Sequence, residues 1–360
     1  MLKRLHLKNF TVFADADFEF SPGLNVLVGT NGTGKSHVLK VGYAVVKAIM
    51  EIEQHRAKES VSQRFLPITI VNYLSNNLVS TFPSTARGHL VRNGSATDAT
   101  VSIELNSNDE VSFEFQIKRP DETALIRNAH FQLKEVVFPV FIPAKEVLTL
   151  SWMLPASEQL VLPVEENYLH LLKQLYLLPR RNPESSEAIA ALTNIIGGEI
   201  RAEGDTYFLV DKNGRRTAIN MVAEGIRKFG ILQKLLANGS LTQNTTLFWD
   251  EPEANLNPAL LRKLAAILAE LARQGFQIIL ATHSTDLLKE FHILSRQKDA
   301  QPLPIKYFGL NAGPGEATRI VSTDNFEHLP DVVALESELA QVDELDAIFA
   351  REDRERHANL

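Results

Sequence analysis

The chain has 360 residues, 44% of them hydrophobic, enough for one large domain carrying an inserted lobe. The lack of cysteine excludes disulfides, thiolate zinc sites and cysteine nucleophiles and fits the cytoplasm, and no apolar run approaches the ~20 residues that span a bilayer. A net charge of −7 argues against wholesale attraction to nucleic acid or anionic lipid; the pairs Arg180-Arg181 and Arg215-Arg216 are candidates for a local basic groove, each read more simply as solvated surface.

Met1-Leu2-Lys3-Arg4 leads into a loosely alternating strand over 2–7, not into a signal-peptide core. A second strand over 17–20 puts Phe18 and Phe20 on one face and ends in the turn Ser21-Pro22-Gly23. Leu24-Asn25-Val26-Leu27-Val28 reads as a buried strand, and these strands are expected to form a sheet whose edge feeds a glycine-rich loop. From Ser36 to about Glu53 the pattern is helical, with Val38, Val41, Val45 and Ile49 on one face. Residues 54–98 hold helical pieces over 69–78 and a polar stretch over 84–97 that predicts a mobile loop. Val101, Ile103 and Leu105 alternate with polar residues, as do Val111, Phe113, Phe115 and Ile117; the Asn106-Ser107-Asn108-Asp109 turn between them predicts a β-hairpin.

Residues 135–142 read as a buried strand whose Pro139 calls for an edge or a bulge. The pattern then turns helical over 147–197, broken by Pro155, Pro163, Pro179 and Pro183: an inserted lobe, too short and too broken for coiled-coil arms. Short strands follow over 199–218, then a helix opened by 220–229 and running to about 237. Thr245-Thr246-Leu247-Phe248-Trp249 is a buried strand ending in Asp250-Glu251-Pro252-Glu253. Residues 257–273 form an amphipathic helix with Asn257 as N-cap and Pro258 first, and 276–281 form a strand ending in Thr282-His283-Ser284 with another helix after it. This alternation predicts a mainly parallel sheet covered on both faces. The acidic tail over 331–355 reads as an amphipathic helix that packs on its own domain or, less simply, on a partner.

Three segments carry chemistry. Gly29-Thr30-Asn31-Gly32-Thr33-Gly34-Lys35-Ser36 matches the phosphate-binding loop, and a strand before it and a helix after it supply the required context. Glycines let successive N–H groups curl around an anion, and the helix adds the positive end of its dipole. Gly29, Asn31, Gly32, Thr33, Gly34, Lys35, Ser36 and His37 are thus the candidate nucleotide-binding residues, Lys35 reaching the β- and γ-phosphates and Ser36 coordinating Mg²⁺. Asp250 is the second candidate ligand for Mg²⁺, and Glu251 the residue that orients the attacking water. Taken alone, an acidic pair at a strand end is a helix N-terminal preference. His283 after a strand is, alone, a packed structural residue; in this order it reads as a γ-phosphate sensor.

The series resembles the ABC-type ATPase clan, within it the soluble branch of recombination and repair ATPases, structural-maintenance-of-chromosomes heads and overcoming-lysogenisation-defect (OLD) proteins. Leu7-Lys8-Asn9-Phe10 through Pro22-Gly23-Leu24-Asn25-Val26-Leu27-Val28-Gly29 is similar to that branch's opening. Asp250-Glu251-Pro252-Glu253-Ala254-Asn255-Leu256-Asn257-Pro258 resembles its joined Walker B and D-loop, and Ala281-Thr282-His283-Ser284 its switch histidine. The resemblance covers about 1–50 and 220–310. Asn257 stands where many relatives have His, and Ala223-Glu224-Gly225 stands for the usual Ser-Gly-Gly or Ser-Glu-Gly signature, without its hydroxyl. Pro143-Ala144-Lys145-Glu146 holds no counterpart of the relatives' Mg²⁺-contacting Gln; Glu146 is the one substitute there.

The resemblance implies an α/β fold, a P-loop NTPase of the ABC-type ATPase head class with a mainly parallel sheet, an antiparallel β subdomain and a helical lobe. The nucleotide-binding domain would run over 1–146 and 201–325, around a lobe at 147–200 and before an acidic tail at 326–360. It further implies ATP and Mg²⁺ as cofactors and a head-to-tail homodimer in which Glu224 and Gly225 of one copy face the other's ATP. Such a switch fits a bacterial anti-phage defence or DNA-repair assembly whose effector, a nuclease or toxin, is a separate chain; nucleic acid is an open question and no membrane is expected. A scaffold that binds ATP and hydrolyses little is the alternative. A transporter subunit fits less, given the Lys8-Asn9-Phe10 opening, the missing Gln and the altered signature.

Overall fold

The computed structural model describes residues 1–58, 66–82, 87–95, 97–106, 110–118, 124–130, 137–297 and 301–329. The tail over 331–355 lies outside the described residues.

The chain opens with β1 (Leu2–Phe10) and β2 (Phe13–Glu19), followed by β3 (Leu24–Gly29), α1 (Lys35–Lys58) and α2 (Leu66–Thr81). Three antiparallel strands come next, β4 (Ala99–Asn106), β5 (Glu110–Ile117) and β6 (Ala124–His130). They join the first two in a five-stranded sheet of order β2-β1-β4-β5-β6. The hairpin is therefore as expected, but β1 and β2 do not share a sheet with β3. At the turn the chain crosses to a second sheet: a Cβ on Gly23 would lie 2.4 Å from the carbonyl oxygen of Pro304, so only glycine lets the backbone pass.

That second sheet is built from β3, β7 (Phe138–Ile142), β11 (Thr245–Asp250), β12 (Gln277–Thr282), β13 (Ile305–Asn311) and β14 (Arg319–Thr323), in the order β14-β13-β3-β12-β11-β7. All neighbours are parallel except β14, which runs antiparallel to β13. Pro139 sits on β7, the outer strand, where a missing N–H costs no ladder bond on the open side. Strand residues alternate between two cores, as the period of two demands. Leu247 and Trp249 of β11 and Ile278 and Leu280 of β12 face one; Phe248, Ile279 and Ala281 face the other.

The first core is covered by the lobe and the later helices. The lobe holds α3 (Met153–Gln159), α4 (Glu166–Leu175) and α5 (Ser186–Ile196), followed by a three-stranded sheet of β8 (Gly198–Glu203), β9 (Thr206–Asp211) and β10 (Arg216–Ala218). Then come α6 (Glu224–Asn238), α7 (Pro258–Arg273) and α8 (Thr285–Ser295). Asn257 caps α7 by accepting from the N–H of Leu260 at 2.9 Å, with Pro258 first, as the sequence predicts. The helix expected to open at 220 begins only at Glu224: Ile219–Met221 form a 3-10 turn and Val222 is extended. The second core lies between the sheet, α1 and the five-stranded sheet. The polar stretch predicted as a loop is partly structured, with a 3-10 turn at Arg87–Leu90 and Val91 bridging Phe10.

Charges tie α1 to the lobe. Lys40 pairs with Glu165 at 2.5 Å, Lys47 with Glu166 at 2.9 Å, and the Tyr43 hydroxyl is hydrogen-bonded to His170 Nδ1 at 2.7 Å. Burial lowers the His170 pKa to about 4, so the ring is neutral. Within the two arginine pairs, Arg216 pairs with Glu203 and stacks on Phe208, and the Arg180 side chain lies against Gly239. Among the described residues no helix is long and apolar enough to cross a membrane.

Candidate nucleotide-binding site

The site follows from strand order. β12 separates β3 from β11, and all three run parallel, with Thr282 beside Val28 and Asp250 beside Ala281. Their carboxyl ends therefore open together, which is where parallel α/β sheets place ligands. The loops leaving those ends are 29–34, 251–257 and 283–284.

The first loop is shaped by glycine. Gly32 and Gly34 have φ of +84° and +94°, and a Cβ on Gly34 would fall 2.6 Å from Phe13 and Val12. Thr33 is locked from two sides: its hydroxyl donates to the Thr30 carbonyl at 2.9 Å, and its own carbonyl accepts from Thr318 Oγ1 at 3.0 Å. The first helical bond of α1 runs from Val38 N to Gly34 O, leaving the N–H groups of residues 35–37 at the helix mouth. The Lys35 ammonium donates to the carbonyls of Gly29 (2.7 Å) and Thr30 (2.8 Å). Burial pushes its pKa down, opposed by Asp250, Glu251 and Glu253. The ring of His37 turns away and packs on Phe82 at 5.7 Å, where burial lowers its pKa; only its backbone faces the loop.

The second loop brings the acids. Burial raises the Asp250 pKa, an effect opposed by a hydrogen bond from Ser36 and by Lys40 and Lys35. Ser36, at the start of α1, and Asp250, at the end of β11, thus lie on the same side of the sheet although β12 stands between β3 and β11. Glu251 adopts φ +46°; its N–H donates to Ala281 O at 2.9 Å and its carbonyl accepts from Lys228 Nζ at 3.1 Å. Its carboxylate lies 3.6 Å from His283 Nδ1. Glu253 accepts from Thr282 Oγ1 at 2.6 Å and from the His283 N–H at 3.3 Å, and so aims the histidine loop; its Oε2 is buried without a hydrogen bond.

Lys35, Ser36, Asp250, Glu251 and His283 therefore come together. Glu224 and Gly225 do so indirectly: Asn255 Nδ2 donates to Glu224 Oε1 at 2.8 Å, and a Cβ on Gly225 would meet Asn255 O at 3.0 Å and Leu256 at 2.9 Å. Gly225 is thus required by close packing of the 251–257 loop on α6. Glu146 is already occupied, accepting from the Leu148 N–H and Thr149 Oγ1 and pairing with Arg227 at 3.3 Å. Sequence reasoning missed Lys228, Glu253 and Thr318. Lys228 is 2% exposed, and burial lowers its pKa; a lysine immediately before the apolar run Phe229-Gly230-Ile231 was the available signal.

The residues present fit a magnesium nucleotide. Turned amides and a lysine on exchangeable carbonyl partners suit phosphate oxygens, and a hydroxyl beside a carboxylate suits a hard cation. Among the described residues no group of three or more His, Asp or Glu is placed to hold a metal.

Comparison with known proteins bears on this site. A family described as "AAA domain, putative AbiEii toxin, Type IV TA system" matches residues 158–289, and one described as "AAA domain" matches residues 4–41. The chain is 48% identical over 42 residues to the DNA replication and repair protein RecF of Streptococcus uberis, 12% of each chain. It is 38% identical over 53 residues to the Old nuclease of Escherichia phage P2, 15% of this chain and 9% of that one. The matched stretches thus span about a tenth of those relatives' length. Among solved structures, the SMC head domain from Thermotoga maritima has a TM-score of 0.51 at 16% identity, covering 90% of this chain and 99% of its own. An Smc head bound to the C-winged helix domain of ScpA has a TM-score of 0.54 at 14% identity, covering 91% and 98%. At such identities the likeness is one of fold.

Proposed function

We propose that this chain, an ABC-type ATPase of the SMC, RecF and OLD branch, binds ATP with Mg²⁺ and hydrolyses it as a conformational switch. The observation that carries the reading is the shared carboxyl end of three parallel neighbours, which puts the phosphate loop, with Lys35 on the Gly29 and Thr30 carbonyls, on the same side as Glu251 and His283. The turned amides of 32–37 and the Lys35 ammonium cradle the β- and γ-phosphates. Mg²⁺, when bound, neutralises charge on the phosphate oxygens, and Ser36 and Asp250 are the residues that would hold it. Glu251, its backbone held by Lys228 and its carboxylate beside His283, orients the attacking water; His283 faces the γ-phosphate.

Glu224 and Gly225, tied to Asn255, would present the signature to a second copy, giving a head-to-tail dimer that hydrolysis reopens. The named roles of relatives, in replication and repair, as a nuclease and as a toxin–antitoxin component, support a place in bacterial DNA repair or anti-phage defence beside a separate effector chain. One observation favours a scaffold that hydrolyses little: Ala223, the N-cap of α6, has no hydroxyl to offer a partner's phosphate. Turnover of the purified protein, with and without DNA, decides between them. Release of phosphate that Lys35→Ala abolishes supports the ATPase, whereas ATP binding with no release in either condition supports the scaffold.

A further inference from the structure

A groove of about 310 Å³ opens where the chain leaves α4 and runs back along the C-terminal half of α6. Leu177 and Leu178 line one part, Ile189 of α5 and Ala202 of β8 another, and α6 contributes Lys234 and Ala237. Its walls are held by the protein itself. The N–H of Arg180 donates to Ala237 O and Asn238 Nδ2 to Gln174 O, both at 2.8 Å. Gln233 spends its whole amide on the fold: it accepts from Ile200 N at 3.0 Å and donates to Thr193 Oγ1 and Gly198 O at 2.8 and 3.0 Å.

The next residue contrasts with this. Lys234 is only 9% exposed, yet among the described residues its ammonium has no hydrogen bond and no ion pair; the Tyr207 ring lies 5.6 Å away. The ring face gives this ammonium a cation–π contact but no anion, and lysines with side chains this buried ordinarily face one. The surrounding surface is mostly apolar, with Leu177 and Leu178 53% and 85% exposed; Glu199 and Arg201 also line it and pair with each other at 3.0 Å. The size sits at the lower end of small-molecule sites.

We propose that this groove binds a small carboxylate with an aliphatic or aromatic body, its anion on Lys234 Nζ and its body along Leu177, Leu178 and Ile189. The ligand bears on the nucleotide site through α6. That helix carries Glu224 and Gly225 at its start, Lys228 on the Glu251 carbonyl, and Lys234 about 9 Å further along. The coupling rests on the ATPase reading; the binding does not.

Octanoate and 3-phenylpropanoate, each beside its primary amide, are titrated calorimetrically into the full chain. The acids are expected to bind at least tenfold more tightly than the amides, and Lys234→Met to erase that difference while Lys234→Arg keeps it. Lys234→Gln serves if the Met variant does not fold, and Ala202→Phe, which fills the groove, is expected to remove acid and amide binding alike. No binding by either acid, or acid binding unchanged in the Met or Gln variant, overturns the site. Saturating octanoate is expected to change ATP turnover at least twofold in the parent and not in Lys234→Met. Acid binding with unchanged turnover overturns the coupling, whereas a chain with no turnover before any acid is added counts against the ATPase reading and leaves the binding result standing.

Discussion

Asp250→Asn separates what the fold wants from what the site needs. The upward shift of the Asp250 pKa has burial as its largest cause, and the hydrogen bond from Ser36 and the pull of Lys40 and Lys35 do not overcome it. A net upward shift means that the folded protein prefers the neutral side chain more strongly than water does. Asparagine keeps the shape and an oxygen for Ser36 while dropping the charge. The nucleotide-free, metal-free protein is therefore expected to gain about 1 kcal/mol, or about 2 °C in a chain of this size, the usual scale when a destabilised functional site is relieved. The sign in pH follows. The native state holds the proton to higher pH than the unfolded chain, so the stability of the protonated form is present below the ordinary aspartate range and lost as pH rises through the folded-state value. The gap between variant and parent should thus close as the solution is acidified. Turnover should move the other way and fall at least about 100-fold with loss of a pre-set metal ligand. Thermal melts from pH 4 to 8 in chelator, with a phosphate-release assay, test both. A variant less stable than its parent at neutral pH, or one that turns over normally, refutes the reasoning.

Glu251→Gln is expected to keep ATP binding, slow hydrolysis at least about 100-fold and accumulate a dimer on a sizing column with ATP; unaltered phosphate release removes Glu251 from its role. Lys228→Met takes away the ammonium that holds the Glu251 carbonyl, so turnover should fall about tenfold with ATP affinity unchanged, read as a split between kcat and KM. Gly225→Ala drives a Cβ to 3.0 Å from Asn255 O and should cost about 1–3 kcal/mol in a urea melt, together with weaker dimerisation. His170, buried neutral with a pKa of about 4, makes the unfolded chain bind the extra proton first, so stability should drop as pH falls from 6.5 towards 4; His170→Gln should flatten that drop, and an unchanged acid limb counts against the buried ring.

Local rules made much of the molecule legible. The glycines of 29–34 need positive φ at Gly32 and Gly34, the Asn257-Pro258 pair starts α7, and the largely apolar runs of 24–28, 245–249 and 276–281 are buried on both faces of a parallel sheet. Each of these signals acts within a turn or a strand, so one sequence suffices to read it. The misreadings lie at longer range. Nothing in Leu2-to-Gly29 says that the first two strands leave β3 for another sheet, because hydrophobic alternation sets which face is buried and not which strand is the neighbour.

By itself, then, the sequence determined the phosphate loop, the acidic strand end and many of the elements, though not β6, β13 and β14, since backbone conformation and side-chain alternation are set by near neighbours. Only the tertiary structure decided that β12 lies between β3 and β11, that the phosphate loop and the acidic strand end open on the same side, that Lys228 is spent on the Glu251 carbonyl, and that Lys234 lines a groove against the Tyr207 ring. Those outcomes depend on which distant segments share a buried space, where the cost of an unpaired charge or a missing hydrogen bond chooses the partners.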